Sequence, residues 1–256
     1  MERWETNFGE KGVQDDIGSV EDSSDDLEKS KIMMMRSIVE LQEPTSKDVD
    51  CLTLRRFLRA RDQDVDKASK LFLKYLRWRA TFVPNGYIDI SEIPNNLAQN
   101  KVFVQGVDKE GRPIGVILGQ RHRQTSLDEF KRFAVYCLDK MCASIPKGQE
   151  TFVCITDLEG WGYANCDVRA YSGALTLLQD CYPERLGKLF IVHVPYIFMA
   201  AWKLVSPFID NKTKKKIVFV EDKLLKETLL EYIEENELPE IYGGKKKLVP
   251  IQDLQS

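Results

Sequence analysis

The chain has 256 residues, of which 43% are hydrophobic and 30% are charged, a composition typical of a globular protein with one large or two modest cores. Its longest apolar run, residues 189–202, is interrupted by His193 and Pro195 and falls short of the roughly 20 residues that cross a bilayer. The formal net charge of -3, with lysines clustered rather than interleaved with aromatic residues, argues against a nucleic-acid binder.

Residues 1–30 carry ten acidic and three basic residues and few large apolar ones. Such a segment cannot bury enough apolar surface to fold, so we expect a disordered acidic tail. It also lacks the basic start and apolar core of a signal peptide, and the six cysteines include no CxxC pair. These features predict a cytoplasmic protein with reduced thiols.

Helical patterns follow at residues 27–41, 52–58 and 65–76, and they predict a small N-terminal helical unit over residues 31–90. Arg55, Arg56, Arg59 and Arg61 lie on the second of these helices. Four arginines at such spacing indicate a solvated helix face with acidic partners.

A second domain is predicted over residues 91–250. Strand-like runs at 101–107 and 113–118 are joined by a glycine-containing turn, which predicts an antiparallel hairpin. Further apolar strands are predicted at 151–158, 188–194 and 217–220, with helices between them. The fold class is therefore α/β, with a mixed, largely parallel sheet.

No enzyme signature is present: the sequence lacks GxSxG, a phosphate loop, GxGxxG and HExxH. Asp157 ends a predicted strand, where α/β sheets place functional carboxylates, but no nucleophile lies near it in sequence. We interpret His193 as a histidine within a strand. Neither His122 nor His193 has a second ligand at metal-binding spacing, so we expect no catalytic residues and no metal site.

The segment 196–209 is apolar all round, a pattern typical of a core helix or of a helix that covers an apolar cavity. Lys212, Lys214, Lys215 and Lys216 follow it at once. Because their ammonium groups must reach water or an anion, the neighbouring charge favours the helix that covers a cavity.

The motifs LRRFLRARDQDVDKASKLFLKYLRWR, DKEGRPIGVI, ITDLEGW, CYPERLGKLFIVHVPYIF, KLVSPFIDNKTKKKI and LPEIYGG occur in this order. By these motifs the chain resembles the CRAL-TRIO lipid-binding family. Within this family it is most similar to phosphatidylinositol transfer proteins of the type of the fungal phosphatidylinositol/phosphatidylcholine exchanger, and especially to short plant-like members. The resemblance implies that the sheet floors an apolar lipid pocket, and that residues 196–209 form a gate helix that closes it.

The resemblance also implies site residues. The positions that match the family's headgroup site are Arg61, Glu184, Asp210, Thr213 and Lys216. The positions assigned to the pocket or the gate are Phe152, Cys154, Tyr196, Phe198, Met199, Trp202, Val205 and Phe208.

Two positions depart from the fungal exchanger. Asp62 stands where that protein has a lysine, which weakens the electrostatic part of the headgroup site and leaves Lys215 or Lys216 to supply more of it. Phe152 and Cys154 replace hydroxyl side chains that hold phosphocholine, so we expect weak exchange of phosphatidylcholine.

The expected function is therefore binding of one phospholipid, phosphatidylinositol first, and its transfer or presentation between membranes, with no cofactor besides the bound lipid. We expect a monomer that contacts an anionic membrane surface transiently, and an acidic tail that competes for the lysine clusters. The alternatives are a lipid-regulated sensor or scaffold of the same fold, a carrier of another small hydrophobe and, last, an α/β hydrolase.

Overall fold

A computed structural model describes residues 17–254, with side chains from residue 25 onward. Its contacts divide the chain into two units, one ending at Leu73 and the other beginning at Lys74. The sequence predicts this boundary at residue 90. The difference arises because Tyr75, Trp78 and Phe82, in the second half of one long helix, pack on the core of the second unit.

The first unit is built from helices. Their bounds are Ile17–Gln42 for α1, Cys51–Arg59 for α2 and Val65–Phe82 for α3, which continues into the second unit. Asp50 caps α2 by accepting a hydrogen bond from the Thr53 amide, and Phe57 packs edge-on against Phe72 with ring centroids 4.8 Å apart. The ring contact joins α2 to the first half of α3.

Helix α1 begins well before the predicted start at residue 27, so it includes residues 17–30 of the predicted disordered tail; residues 1–16 lie outside the described residues. Two kinds of contact stabilise this extension. Lys29 forms ion pairs with Asp25 and Asp26 one turn earlier, and Glu28 pairs with Arg55 of α2 at 2.8 Å. Acidic residues that the sequence predicts to be part of a solvated tail thus form ion pairs with basic residues.

The second unit contains a five-stranded sheet in the order β1-β2-β3-β4-β5. The strands are Val102–Val107, Pro113–Leu118, Phe152–Asp157, Leu186–Val192 and Ile217–Phe219. β1 and β2 are antiparallel, and all other neighbouring strands are parallel. The predicted α/β class with a mixed, largely parallel sheet is confirmed.

Helices cover both faces of this sheet. Those of the second unit are α4 (Pro94–Ala98), α5 (Leu127–Ala143), α6 (Val168–Cys181), α7 (Phe198–Val205), α8 (Asn211–Lys214) and α9 (Leu225–Tyr232). Because side chains alternate along a strand, β3 contributes Phe152 to a core with α5 and α6, and Val153 and Ile155 to a core with α9.

Candidate functional site

An apolar cavity of about 390 Å³ lies on the face of the sheet that carries Phe152 and Cys154. Strands β2, β3 and β4 form its floor, and α5, α6 and α7 form its walls. Almost all of the side chains that line it are aliphatic or aromatic, among them Ile117, Phe133, Leu138, Met141, Phe152, Leu175, Leu178, Leu189, Ile191, Phe198 and Trp202. Such a wall suits hydrocarbon and offers few hydrogen-bonding groups.

The structure separates the residues predicted for the pocket and the gate into two groups. The residues that line the cavity are Phe152, Cys154, Phe198, Trp202 and Val205. Tyr196, Met199 and Phe208 do not line it and are exposed, Tyr196 to 95% and Phe208 to 69%. Because Cys154 faces this apolar space, burial raises the pKa of its thiol to about 12.

Helix α7 is shorter than the predicted gate helix of residues 196–209. Ser206–Phe208 form a single 3₁₀ turn, because Pro207 has no N–H with which to continue the α-helix. Residues 198, 201, 202 and 205 recur at helical spacing and form its inner face. The outer face carries the exposed Lys203 and apolar residues, of which Leu204 is exposed to 61%.

The contacts that hold α7 and the 3₁₀ turn over the cavity are mostly apolar. Phe198 packs edge-on against Trp161 with ring centroids 5.5 Å apart, and Trp202 packs likewise against Phe219 at 5.2 Å. The Gln179 side-chain amide donates to the Phe208 carbonyl at 2.9 Å. No side chain caps the start of α7. A helix held mainly by apolar contacts, with one side-chain hydrogen bond at its end, can exchange these contacts for those of another apolar phase.

Two of the predicted headgroup residues form an ion pair, with Lys216 Nζ 3.3 Å from Glu184 Oε2. Glu184 precedes β4 and Lys216 precedes β5, and these strands are parallel neighbours, so both residues lie at the N-terminal ends of their strands. Glu184 has a left-handed backbone with φ of 56°, which is uncommon for a non-glycine residue and often marks a functional position.

Asp210 and Thr213, also predicted for the headgroup, form a pair of their own. Asp210 caps α8 by accepting hydrogen bonds from the Thr213 amide at 2.8 Å and the Thr213 hydroxyl at 2.6 Å. Burial acts to raise the pKa of Asp210, but these hydrogen bonds outweigh it and the pKa is lowered. Lys216 comes two residues after the end of α8, so the cap positions the chain that carries it.

Arg61 belongs to the first unit, just after α2, where its guanidinium donates to the Ala60 carbonyl at 2.8 Å. The next residue, Asp62, is left-handed with φ of 51°. The role of Arg61 at a headgroup therefore stays a prediction from the resemblance.

The cavity wall also contains a buried polar cluster that no pattern in the sequence predicts. Lys101 and His122 both line the cavity and are only 4% and 5% exposed. Lys101 Nζ lies 2.8 Å from Asn96 Oδ1, 2.6 Å from Gln99 Oε1 and 3.0 Å from His122 Nδ1. Burial lowers the pKa of Lys101 to about 8. No spacing signal identifies this pair, because folding of the β1-β2 hairpin creates the contact.

The prediction that His193 lies within a strand is wrong, since β4 ends at Val192 and His193 adopts a left-handed backbone with φ of 50°. This turn lets His193 Nδ1 reach Asp157 Oδ1 at 2.9 Å. Asp157 also accepts from the Glu159 amide and the Tyr242 hydroxyl. The network joins β3 and the segment before α7 to the C-terminal LPEIYGG motif.

Ligand atoms of Asp157, Glu159 and His193 also come within 4.8 Å of one another, which metal binding would require. The three hydrogen bonds to Asp157, however, already account for the burial of its carboxylate. We therefore interpret the group as a structural network. Within residues 17–254, no helix is both long enough and apolar enough to cross a membrane.

A sequence model of the CRAL/TRIO domain matches residues 97–244, more than half of the chain. The chain is 30% identical over 247 residues to "CRAL-TRIO domain-containing protein YKL091C" of Saccharomyces cerevisiae, with 86% of this chain and 79% of the yeast protein covered. It is 32% identical over 248 residues to "Phosphatidylinositol/phosphatidylcholine transfer protein SFH12" of Arabidopsis thaliana, with 88% of this chain and 45% of that protein covered.

A third relative, Patellin-5 of Arabidopsis thaliana, is 29% identical over 258 residues, which cover 90% of this chain and 38% of Patellin-5. The chain thus spans less than half the length of these two plant relatives. Among solved structures, the crystal structure of Sfh5 superposes with a TM-score of 0.61 at 19% identity, covering 84% of this chain and 85% of that one. This similarity shows the shared fold.

Proposed function

Because the chain belongs to the CRAL/TRIO family of lipid-binding proteins, we propose that it binds one phosphatidylinositol molecule and transfers or presents it between membranes. The observation that carries the proposal is the apolar cavity beneath α7, with the Glu184–Lys216 ion pair where β4 and β5 begin. One end of this arrangement suits hydrocarbon and the other suits a polar, charged headgroup.

The cavity isolates acyl chains from water. Two fatty chains hold about 30 methylenes, and exposing them would cost on the order of 24 kcal/mol at about 0.8 kcal/mol each. A carrier must therefore release its lipid only where another apolar phase is in reach. Movement of α7 would both widen the cavity for two chains and open it to a bilayer.

The headgroup site combines the two chemistries that phosphoinositol presents. The Glu184 carboxylate can accept hydrogen bonds from inositol hydroxyls, and the Lys216 ammonium can pair with the phosphodiester. When lipid binds, the phosphate would replace Glu184 as the partner of Lys216, which frees the carboxylate for the sugar. Asp210 and Thr213 keep α8 in place beside Lys216, and Arg61 is a further candidate for the phosphate.

Phosphatidylcholine fits this cavity less well. The positions at which the fungal exchanger has hydroxyl side chains are Phe152 and Cys154, and both line the cavity here. The neutral thiol of Cys154 is only a weak hydrogen-bond donor, so a phosphocholine group inside the cavity would lack partners. We expect transfer of choline lipids to be weak beside that of inositol lipids.

We further propose that the protein is a monomer of the cytoplasm that associates transiently with anionic membranes and needs no cofactor. Support comes from the exposed apolar side chains of α7 and its 3₁₀ turn, beside Lys212, Lys214 and Lys215. Apolar side chains with adjacent lysines are the combination that binds the interface of an anionic bilayer.

The test begins with mass spectrometry of lipids that copurify with the protein, in which inositol lipids should predominate. Glu184→Ala and Lys216→Ala should each lose inositol-lipid binding while they remain folded. A matched control is the exposed ion pair of Lys226 and Glu235, which has the same 3.3 Å separation and whose alanine variants should bind normally. Retention of inositol lipid by both site variants would overturn the choice of ligand.

Transfer kinetics between vesicles distinguish the alternatives. A sensor or scaffold of the same fold would bind lipid without net transfer, whereas a carrier of another hydrophobe would copurify with that compound. A hydrolase is the least supported alternative, because the sequence has no GxSxG signature and no described hydrogen bond joins His193 to a serine, threonine or cysteine.

A further inference from the structure

The polar groups of the cavity wall gather at the end of the sheet opposite Glu184 and Lys216. Lys101 lies beside the end of β2, since its carbonyl accepts from the Leu118 amide at 2.8 Å. His122 follows β2, and Thr156 is the penultimate residue of β3. All three line the cavity. The otherwise apolar space therefore has one end with hydrogen-bond donors.

The charge of Lys101 is only partly compensated at this end. Its three hydrogen-bond acceptors are neutral groups of Asn96, Gln99 and His122, and no ion pair of Lys101 occurs among the described residues. An ammonium that is buried without a carboxylate is costly. Its electrostatic environment favours a ligand that brings a negative charge.

The ionisable groups around Lys101 do not remove this preference. Glu129 is occupied by Asn95 and Asn96, from which it accepts hydrogen bonds. Asp167 caps α6 through the Ala170 amide and lies 3.7 Å from His122 Nε2, beyond hydrogen-bonding distance. Burial keeps the nearby Cys137 thiol neutral by raising its pKa.

The tautomer of His122 follows from the same contacts. Because the Lys101 ammonium can only donate, Nδ1 of His122 accepts and the ring proton lies on Nε2. This buried Nε2–H group has no hydrogen-bond partner in the described residues. His122 thus offers an unused donor to an oxygen acceptor next to the ammonium.

We propose that this end of the cavity binds the carboxylate of a single-chain fatty acid, with Lys101 as its counter-ion and the chain along the apolar wall. A carboxylate oxygen takes the place of one neutral acceptor of Lys101. The volume of about 390 Å³ lies near the lower end of the range of roughly 300–1,000 Å³ typical of small-molecule pockets. Before α7 moves, such a volume suits one chain better than a diacyl lipid.

The inference rests on the proposed role of the cavity as a lipid site, and it predicts linked protonation. In the protein without ligand, Lys101 has a pKa of about 8 and is therefore half deprotonated at pH 8. A bound carboxylate favours the ammonium form, so each fatty acid should bring an uptake of about half a proton at that pH. An uncharged ligand of the same length should bring none.

The experiment is calorimetric titration of the delipidated full chain with dodecanoate and with dodecanol, at pH 8 in two buffers of different ionisation enthalpy. Proton uptake with dodecanoate alone supports the proposal. Lys101→Met should weaken dodecanoate binding roughly tenfold and abolish the uptake, whereas Lys101→Arg should bind without uptake. The control Lys140→Met alters a lysine of α5 that does not line the cavity and should behave as the wild type.

Absence of dodecanoate binding, or binding by the wild type without proton uptake, would overturn the proposal whether or not the variants fold. Uptake that persists in folded Lys101→Met would also overturn it, because the carboxylate would then lie elsewhere. Phosphatidylinositol binding is measured separately. If that lipid binds and dodecanoate does not, only this inference fails; if dodecanoate binds with uptake and phosphatidylinositol does not, only the proposed function fails.

Discussion

At the scale of single residues, His122 makes the stability of the protein depend on pH in the mildly acidic range. Burial, and then the neighbouring Lys101 ammonium, lowers the pKa of His122 from 6.5 to about 4. Between these values the unfolded chain takes up a proton at His122 and the folded chain does not. The free energy of unfolding therefore falls as the pH falls, and His122 alone should account for about 3 kcal/mol at about 1.4 kcal/mol per pKa unit.

Denaturant unfolding of the wild type and of His122→Asn between pH 4 and 7 checks this expectation. Asparagine keeps an oxygen that can accept from Lys101 but does not titrate. The variant should therefore lose about 3 kcal/mol less than the wild type over this range. Identical pH dependence of the two proteins would show that His122 does not couple folding to protonation.

At the scale of elements, the outer face of α7 and its 3₁₀ turn should make the principal apolar contact with a membrane. Leu204 and Phe208 are exposed large hydrophobic residues on this segment, and full burial of such a side chain contributes about 1.5–3 kcal/mol. Leu204→Asp and Phe208→Asp should each weaken binding to anionic vesicles roughly tenfold, since part of this contribution is lost and an acidic group is added. Cosedimentation measures the change.

The matched control for Leu204→Asp is Tyr87→Asp, because both residues are 61% exposed and Tyr87 lies outside the α7 segment. Its vesicle binding should remain close to that of the wild type. An equal loss in the control would mean that added negative charge, rather than the position on α7, weakens the interaction.

The elements also show how far the sequence could predict this fold. β2 is predicted with its observed bounds and β1, β3 and β5 within a residue, because each is an apolar run bounded by turn residues. Other features depend on contacts distant in sequence. The early start of α1 depends on the pairing of Glu28 with Arg55, and the left-handed turn at His193 depends on Asp157. The hydrophobic periodicity of the sequence predicts neither contact.

Only part of the candidate site could be predicted from the sequence. Positions 198, 202 and 205 share a helix face, so the resemblance to a gate helix identifies cavity residues there. An all-apolar segment does not reveal which face points inward, so the sequence assigns Tyr196, Met199 and Phe208 to the pocket or the gate without showing that they lie outside the cavity. Lys101 and His122 meet only because β1 and β2 pair, so nothing local in the sequence predicts their contact.

At the scale of the whole molecule, the distribution of charge should moderate membrane binding. Residues 1–16 contain five acidic and two basic residues, a net charge of -3, so the rest of the chain is formally neutral. Glu28 lies outside this segment and pairs with Arg55. Removal of residues 1–16 therefore changes the charge while this contact of the first unit is kept, whereas removal of residues 1–30 would break it.

We expect the chain without residues 1–16 to bind anionic vesicles several-fold more tightly at low ionic strength, because each charge near such a surface is worth up to about 1 kcal/mol. The gain should vanish in high salt, since the Debye length falls from about 30 Å at 0.01 M to about 3 Å at 1 M. Binding to zwitterionic vesicles should not change. Equal binding of both chains to anionic vesicles at low salt would show that the acidic segment does not compete for the lysines, and a gain that survives high salt would indicate newly exposed apolar surface instead of charge.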